Sequence, residues 1–273
     1  MNPVSDTAFL TCGARALDAA LPFPVCGDIY AERFINDHAR RVLALFRRQG
    51  RQRASIVVRH RLIDDLLRAR LAADPDTSVI LVGAGFDTRA FRLDGGHWTE
   101  IDEPAVIAHK EAVLPASDCP NSLARIAIEF AQERLADRLP LAAPPVVVVM
   151  EGVSMYLDEE QTRDTLQALL AAYPGHTLIC DLVTRTFMAR YGRKLTKQVN
   201  KLGAEFAGLS EAPLQRFEAA GYRLARQESL VARSFEMAGE TIKLAITRTL
   251  FRSALKGYTV NVLEAPVRVP AGA

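Results

Sequence analysis

The chain has 273 residues, of which 49% are hydrophobic, and its formal net charge is +2. This length supports the core of one large α/β domain, or of one domain with an added cap. The near-neutral charge gives no electrostatic reason to expect nucleic acid or an anionic membrane as a partner. No apolar run approaches the roughly 20 residues that span a bilayer, and no signal peptide is evident. We therefore expect a cytoplasmic protein that acts on a small molecule.

The cysteines and histidines show no spacing typical of metal ligands. The cysteines, which contain no CxxC pair, are Cys12, Cys26, Cys119 and Cys180. This pattern indicates reduced, mostly buried thiols rather than a disulfide framework or zinc ligands. The histidines, equally scattered, are His38, His60, His97, His109 and His176. We expect no structural metal.

Residues 1–75 predict an N-terminal arm and a helical cap. The first 26 residues contain three prolines and only a short helical possibility at 10–21. A long helix is predicted to follow Gly27 and Asp28 and to end at Gly50. Its apolar positions at three- to four-residue spacing are Ile35, Ala39, Val42 and Phe46. A second helix is predicted at about 54–73.

Arg59 falls inside the apolar stripe of this second helix, which is an unusual position for an arginine. The stripe consists of Ile56, Ile63, Leu66 and Leu67, whereas Arg61 and Asp65 point the other way. One interpretation is structural, in which Arg59 either snorkels to the surface or pairs with a buried carboxylate such as Asp64. The other is functional, because a planar and permanently charged guanidinium suits the carboxylate of a ligand. The helical wheel alone favours neither.

A short apolar run at 78–82 follows the break at 74–76 and is succeeded by Gly83 and Gly85. Such a run predicts a buried parallel strand, and the glycines allow a ligand to approach the backbone closely. The motif differs from the dinucleotide fingerprint GxGxxG, because Thr88 occupies the third glycine position. The stretch therefore predicts the floor of a site for a cofactor that has a ribose and no phosphate. An ordinary strand that ends in a glycine turn is the alternative.

A second strand at 98–102 ends in Asp102, 17 residues beyond Gly85. In nucleotide-binding α/β folds, an acid at this position accepts hydrogen bonds from the ribose hydroxyls. Asp102 is therefore the predicted ribose ligand, and Glu100, which alternation places on the same face, is the rival. Pro104 suits the first turn of the helix that follows.

Further strands are predicted at 125–130, 144–150 and 177–182. The first closes with Glu129 and Phe130, and the second contains four consecutive valines, which indicates a central strand buried on both faces. This central strand brings Glu151 to the same edge of the sheet. A helix with acids in its first turn is predicted to start at 158–160.

The segment at about 184–210 interrupts the strand–helix alternation and is strongly basic. Its cations are Arg185, Arg190, Arg193, Lys194, Lys197 and Lys201. It is either a solvated helix pair or a lid over a negatively charged substrate.

A helix at 211–220 and closing strands at 222–227, 241–248 and 258–263, some of them antiparallel, are predicted to follow. The last residues, 266–273, are predicted to be a loose tail.

The predicted elements together indicate an α/β fold with a doubly wound, mainly parallel sheet and antiparallel closing strands. Residues 1–75 form the predicted cap and residues 76–273 the predicted core. The ligand is expected in the crevice at the carboxyl edge of the sheet.

The chain resembles the leucine carboxyl methyltransferase family, in particular its bacterial O-methyltransferases of polyketide and other secondary metabolism. Four motifs between Arg59 and Leu157 support the resemblance. In order they are Arg59 with Ile63-Asp64-Asp65, then Gly83-Ala84-Gly85-Phe86-Asp87-Thr88-Arg89, then Glu100-Ile101-Asp102-Glu103-Pro104 with Lys110, and then Glu151-Gly152-Val153-Ser154-Met155-Tyr156-Leu157. The ordered set is more specific than any one of its members.

The resemblance implies a class I methyltransferase fold with S-adenosylmethionine as cofactor. It implies that Arg59 holds the methionine carboxylate and that Asp102 takes the ribose hydroxyls. It also places Gly83 and Gly85 under the methionine and ribose, and Glu151 near the amino group. Family members usually have Asp-Leu after the third strand, flanking the adenine. This chain has Glu129 and Phe130 there instead.

The acceptor decides whether a base is needed. A carboxylate, with a pKa of about 3.5, is already ionised at neutral pH, whereas a phenol, with a pKa near 10, needs a proton acceptor. His60, His97 and His109 are candidate bases, but their spacing singles out none, so no catalytic residue is assigned. This favours carboxyl O-methylation over methylation of a phenolic or other hydroxyl group. Tyr156 and Arg185 are the predicted substrate contacts.

Two interpretations outside O-methylation stay open. One is a nicotinamide-dependent oxidoreductase, against which Thr88 and Arg59 both argue. The other is a non-catalytic S-adenosylmethionine-binding protein. Methylation of nucleic-acid amines is disfavoured, because Glu151-Gly152 stands where such enzymes have an Asn/Asp-Pro-Pro-aromatic tetrad. The sequence does not determine the oligomeric state.

Overall fold

The structure, a computed structural model, describes residues 3–44, 50–250 and 252–267. The α-helices within these ranges are α1 (Pro3–Ala19), α2 (Asp37–Ala44), α3 (Gly50–Ala73), α4 (Arg89–Arg92), α5 (Pro104–Val113), α6 (Glu159–Ala172), α7 (Arg185–Tyr191), α8 (Arg193–Lys201), α9 (Pro213–Ala219), α10 (Leu230–Met237), α11 (Thr241–Leu250) and α12 (Arg252–Gly257). The strands are β1 (Ser78–Val82), β2 (His97–Asp102), β3 (Ser122–Ala127), β4 (Val146–Met150), β5 (Thr177–Val183), β6 (Arg223–Ser229) and β7 (Tyr258–Glu264). Short 3₁₀ helices occur at Ala31–Phe34, Ala116–Asp118 and Leu135–Asp137.

The strands form one sheet in the order β3-β2-β1-β4-β5-β7-β6. Strands β1 to β5 pair in parallel, and β7 is antiparallel to both β5 and β6. The chain winds outward in opposite directions from β1 and β4, so the topological switch point, where α/β folds bind ligands, lies between these two strands. The predicted doubly wound sheet with antiparallel closing strands is confirmed.

The central strands β1 and β4 are apolar apart from Ser78, as expected for strands that are covered on both faces of the sheet. Val79 and Leu81 of β1 belong to the core cluster that includes α3, whereas Ile80 and Val82 belong to the cluster that includes α6. The four valines of β4 divide between the two clusters in the same alternation. No helix among the described residues is long and apolar enough to cross a membrane.

The N-terminal helices differ from the prediction. Helix α1 is longer than the expected segment at 10–21, and the single long helix predicted at 28–50 is wrong. A new helix begins at Asp37, where the Asn36 side chain accepts a hydrogen bond from Ala39 N at 2.8 Å, as a helix cap does. Gly50 is the first residue of α3 rather than the end of the preceding helix. Residues 45–49, which the prediction also covered, lie outside the described residues.

Helix α3 confirms the predicted second helix, although it starts a few residues earlier. Ile56, Ile63 and Leu67 of its apolar stripe are buried with Arg59, and Leu66 is partly buried. Arg61 and Asp65 are partly exposed and pair with each other at 2.8 Å. The division into cap and core at residue 75 stays a prediction.

Two predicted strands need correction. Residues 241–248 are part of helix α11, in which Leu244 and Thr247 are buried three positions apart, as on one face of a helix. Strand β3 ends at Ala127, so Glu129 and Phe130 lie beyond it rather than at its last positions. The other strands and α9 match within a few residues, and residues 268–273 of the predicted tail lie outside the described part of the chain.

Candidate functional site

The glycine turn after β1 lies at the switch point. Gly83 and Gly85 adopt φ values of +69° and +49°, which favour glycine. A Cβ atom on Gly83 would lie 2.5 Å from Val153 Cγ2, so the missing side chain lets the segment after β4 approach. A Cβ atom on Gly85 would lie 3.4 Å from Ala8 Cβ, which places helix α1 over the turn. The turn is therefore confined between two other parts of the chain.

Asp102 lies beside this turn at the end of β2. Its carboxylate accepts hydrogen bonds from Gly85 N at 2.6 Å and from Glu103 N at 2.7 Å. Burial raises the pKa of Asp102 to about 6, although the two N–H groups oppose the shift. The rival, Glu100, is fully buried in ion pairs with Lys110 and Arg125. The carboxylate of Glu100 is therefore paired within the protein, whereas Asp102 lies at the carboxyl edge of the sheet.

Glu129 and Phe130 follow β3 at the same edge. The preceding residue, Ile128, donates from its backbone N to Asp102 O at 3.0 Å, so this turn is adjacent to Asp102. Glu129 is exposed, and Phe130 is 39% exposed although it is a large apolar side chain. Their predicted part in a cofactor site stays a prediction.

Arg59 points from α3 toward the same edge, and its side chain is buried. Its Nε donates to Glu151 Oε1 at 2.9 Å, and its Nη1 donates to Asp181 Oδ2 at 3.0 Å and to Tyr258 Oη at 2.8 Å. Arg59 therefore pairs with buried carboxylates, as the structural interpretation predicted, but they are Glu151 and Asp181. The named candidate, Asp64, pairs instead with Arg89 and Arg92.

The Nη2 atom of Arg59 donates to no acceptor among the described residues. A Cβ atom on Gly152, whose φ is +71°, would lie 3.1 Å from Nη2. A guanidinium has five N–H donors, and three of them are used here. The two N–H groups on Nη2 are therefore available to a carboxylate of a ligand.

Arg89 forms the centre of a second buried network next to Arg59. Its Nε donates to Asp64 Oδ1 at 2.6 Å, its Nη1 pairs with Asp87, and its Nη2 lies 2.7 Å from Glu151 Oε2. Burial alone would raise the pKa of Glu151, but Arg89, then His60 and Arg59, hold it well below its usual range. Glu151 therefore bridges the two arginines as a carboxylate.

His60 belongs to this second network. Arg89 Nη2 lies 2.8 Å from Nδ1 and Arg92 Nη2 lies 2.7 Å from Nε2, and a neutral imidazole accepts at only one nitrogen. We assign the proton to Nδ1, because this tautomer also gives Glu151 Oε2 a donor at 3.2 Å. Burial, and then Arg89, lowers the pKa of His60, so the ring is neutral.

The network also contains a group of side chains with the chemistry of metal ligands. The ligand atoms of His60, Asp87 and Glu151 lie within 4.8 Å of one another. Arg89 contacts both carboxylates, and its guanidinium is the cation at this position.

The other candidate bases differ in position: His97 lies away from the glycine turn, whereas His109 packs against Phe86, which follows Gly85. His97 is the first residue of β2, at the edge of the sheet opposite to the glycine turn, and it is exposed. His109 packs against Phe9, Phe34 and Phe86, and burial lowers its pKa. Geometry therefore singles out none of the three histidines as a base.

The two predicted substrate contacts differ in their surroundings. Tyr156 is half-buried, hydrogen bonds to Thr7 of α1, and packs against Phe206 with 5.1 Å between the ring centroids. Arg185, by contrast, is exposed and donates to Leu209 O at 2.8 Å. Burial raises the pKa of Tyr156, and Thr7 and then Arg59 oppose this shift. The predicted roles of Tyr156 and Arg185 as substrate contacts stay predictions.

The basic segment forms the helix pair α7 and α8. Its six cations, Arg185, Arg190, Arg193, Lys194, Lys197 and Lys201, are all exposed, and none has an ion pair with a carboxylate of the described residues. The two helices border an open cleft of about 400 Å³ that is lined by Met188, Ala189, Arg193, Thr196, Lys197 and Asn200. The solvated helix pair accounts for these observations, and the role of a lid stays a prediction.

Sequence reasoning missed three residues of the site. Asp181 gave a usable signal, since it is a lone acid within the buried strand β5. Arg89 belongs to the motif that contains the glycine turn, but no partner was predicted for it. Tyr258 gave no signal, because its hydroxyl meets Arg59 only through the pairing of β7 with β5.

Comparison with known proteins agrees with this architecture. The family profile of leucine carboxyl methyltransferases matches residues 8–170. The chain is 28% identical over 242 residues to the tetracenomycin polyketide synthesis O-methyltransferase TcmP of Streptomyces glaucescens, a match that covers 86% of each protein. It is 31% identical over 198 residues to a putative S-adenosyl-L-methionine-dependent methyltransferase of Streptomyces coelicolor, covering 63% of each.

Solved structures share the fold. The crystal structure of a DUF574 family protein from Streptomyces avermitilis matches with a TM-score of 0.59 at 13% identity, over 92% of this chain and all of that one. Magnesium protoporphyrin IX methyltransferase from Synechocystis, with bound S-adenosylhomocysteine, matches with a TM-score of 0.50 at 15% identity, over 82% of this chain and 94% of that one.

These matches favour a methyltransferase over a nicotinamide-dependent oxidoreductase. They extend over the segments that contain the glycine turn, Asp102, Arg59 and Glu151. The chain belongs to the leucine carboxyl methyltransferase family and is an S-adenosylmethionine-dependent methyltransferase.

Proposed function

We propose that this enzyme methylates a carboxylate of a small-molecule acceptor in secondary metabolism. The observation that supports the proposal most directly is that the switch point has polar groups for the cofactor, whereas the geometry singles out none of His60, His97 and His109 as a proton acceptor. TcmP, which is by name an O-methyltransferase of polyketide synthesis, supports the metabolic context.

The polar groups at the switch point fit the amino-acid part of S-adenosylmethionine. The two unused N–H groups of Arg59 Nη2 would hold the carboxylate, in line with the preference of guanidinium groups for carboxylates. Glu151 is a carboxylate with 11% of its side chain exposed, and it would hold the ammonium group. The two charges of the amino acid thus meet opposite charges that the fold fixes in place.

The nucleoside part would lie over the glycine turn. Gly83 and Gly85 leave the backbone accessible, and Asp102 would accept hydrogen bonds from the ribose hydroxyls once its carboxyl is ionised. Glu129 and Phe130 would flank the adenine, since their turn adjoins Asp102. The residues of the site fit the cofactor, because they include the Nη2 atom of Arg59 without an acceptor, the two glycines with positive φ, and Asp102 at the end of β2.

When bound, S-adenosylmethionine supplies a methyl group that its sulfonium already activates. The residues of the chain then mainly position the two reactants and exclude water. A carboxylate acceptor is ionised at neutral pH and needs no proton acceptor. His60 cannot serve as one for a hydroxyl acceptor, because it is fully buried and hydrogen bonded on both ring nitrogens. Tyr156 and Arg185 of α7 are the proposed substrate contacts.

The two acceptor classes can be separated by the stability of the product. Aromatic acceptors that differ only in bearing a carboxylate or a phenol would be incubated with methyl-labelled S-adenosylmethionine. We expect label on the carboxylate, in a methyl ester that mild alkali hydrolyses to volatile methanol. Alkali-stable label on the phenol alone would instead establish a hydroxyl O-methyltransferase. S-Adenosylhomocysteine added in excess is the control, because it should suppress enzymatic transfer.

A further inference from the structure

Asp181 and Tyr258 have no assigned function, yet both contact the guanidinium of Arg59. Asp181 lies within β5, Tyr258 is the first residue of β7, and the two strands are paired. Tyr258 Oη lies 3.0 Å from Asp181 Oδ2 and 2.8 Å from Arg59 Nη1. The three side chains form a closed triangle of hydrogen bonds.

The contacts of Asp181 are all directed toward the site. Its Oδ2 accepts from Arg59 and Tyr258, and its Oδ1 accepts from Gly152 N at 2.5 Å. Asp181 is fully buried in a strand whose neighbours are apolar, where a carboxylate is costly unless it is paired. It therefore connects the guanidinium to the backbone turn that lies against Arg59 Nη2.

The orientation of the guanidinium depends on these contacts. Glu151 contacts only the Nε atom of Arg59. A guanidinium that is hydrogen bonded at this one atom can still rotate about the contact. Hydrogen bonds from Nη1 to Asp181 and Tyr258 fix the plane, which leaves Nη2 as the edge that faces a ligand. The ring of Tyr258 is itself held by Phe187 of α7, with 5.9 Å between the centroids.

We propose that Asp181 and Tyr258 are positioning residues that aim Arg59 Nη2 at the carboxylate of the cofactor. The inference rests on the proposed function, because it assumes that this carboxylate binds Arg59. It implies that removing either group weakens the binding of ligands that have the amino-acid carboxylate and spares ligands that lack it.

Calorimetry with two ligands tests this. S-Adenosylhomocysteine has the amino-acid carboxylate and ammonium groups, and 5′-methylthioadenosine has the same nucleoside thioether without either group. For Tyr258→Phe, which loses one hydroxyl, we expect S-adenosylhomocysteine to bind about 3- to 10-fold more weakly, and for Asp181→Asn about 10- to 100-fold more weakly. Binding of 5′-methylthioadenosine should stay within about twofold of wild type for both variants.

Tyr222→Phe is the matched control. Tyr222 is buried, whereas Tyr258 is partly buried, and the Tyr222 hydroxyl lies 3.0 Å from His176 Nε2. We expect no change in the affinity for either ligand in this variant. Circular dichroism of each variant identifies any general loss of structure.

Two results would overturn the positioning role. One is an equal loss of both ligands, which indicates general damage to the pocket, and the other is unchanged binding of S-adenosylhomocysteine in both Tyr258→Phe and Asp181→Asn. If either result is obtained and the wild-type protein still binds S-adenosylhomocysteine, only the positioning role fails. The proposed function then stays intact. If the wild-type protein binds no S-adenosylhomocysteine, the proposed function fails, and this inference fails with it.

Discussion

Replacing Arg59 by alanine removes the one guanidinium that contacts Glu151, Asp181 and Tyr258 together. Two consequences are expected, one for cofactor affinity and one for stability. A hydrogen bond to a charged group contributes about 1.5–3 kcal/mol, so the loss of the Nη2 contacts should weaken binding of S-adenosylhomocysteine by about 10- to 150-fold. Removing one partner of a buried ion pair costs about 3–5 kcal/mol, because a carboxylate is left without its cation.

Arg59→Lys separates these two effects. The lysine retains the positive charge, but a single ammonium cannot hold Glu151 and Asp181 and also present a free edge to a ligand. We expect this variant to recover much of the stability and little of the affinity. Isothermal titration calorimetry with S-adenosylhomocysteine measures the affinity, and denaturant unfolding measures the free energy of unfolding.

Arg61→Ala is the matched control on the same helix. Arg61 is partly exposed and pairs with Asp65 four residues along, a type of surface pair that contributes about 0–1 kcal/mol. Its removal should leave the affinity unchanged. Retention of wild-type affinity for S-adenosylhomocysteine in both Arg59→Ala and Arg59→Lys would refute the reasoning and exclude Arg59 from the cofactor site.

Three further predictions concern the glycine turn, the ribose ligand and the absence of a base. Gly85→Val should abolish binding of S-adenosylhomocysteine, whereas the control Gly239→Val should not. Gly239 also has a positive φ, but a Cβ atom there would meet no other atom within 4 Å. Equal losses of affinity in calorimetry would contradict this prediction. The pKa of Asp102 is raised to about 6, so the affinity for S-adenosylhomocysteine should rise between about pH 5 and 7 as the carboxylate forms. Over about pH 4 to 6, the contribution of Asp102 to folding stability should fall, because the folded state binds the proton more tightly than the unfolded state. Titrations of Asp102→Asn at the same pH values should show no rise in affinity. His97→Ala and His109→Ala should keep carboxyl methylation within about threefold of wild type, and a 100-fold loss of kcat in either would indicate a base.

The sequence by itself determined the central sheet and the edge at which the site lies. The apolar runs of β1 and β4 leave no polar face, and only a strand covered on both sides has this composition. Parallel strands end at a common edge, so Asp102 and Glu151 could be placed together from the order of the strands alone. Arg59 was also identifiable, because a charge within an apolar helical stripe needs a buried partner or a ligand.

Only the tertiary structure decided which groups surround Arg59. The local candidate, Asp64, pairs with Arg89 and Arg92, whereas the partners of Arg59 are 92, 122 and 199 residues away in the chain. Helical spacing predicts contacts within one helix, but it contains no information on which strand ends face that helix. The break before α2 and the helical state of α11 likewise depended on competing local and packing preferences. The hydrophobic pattern of a segment can be read from its own residues. The ion-pair partner of a side chain depends on which other segments pack against it in the folded protein.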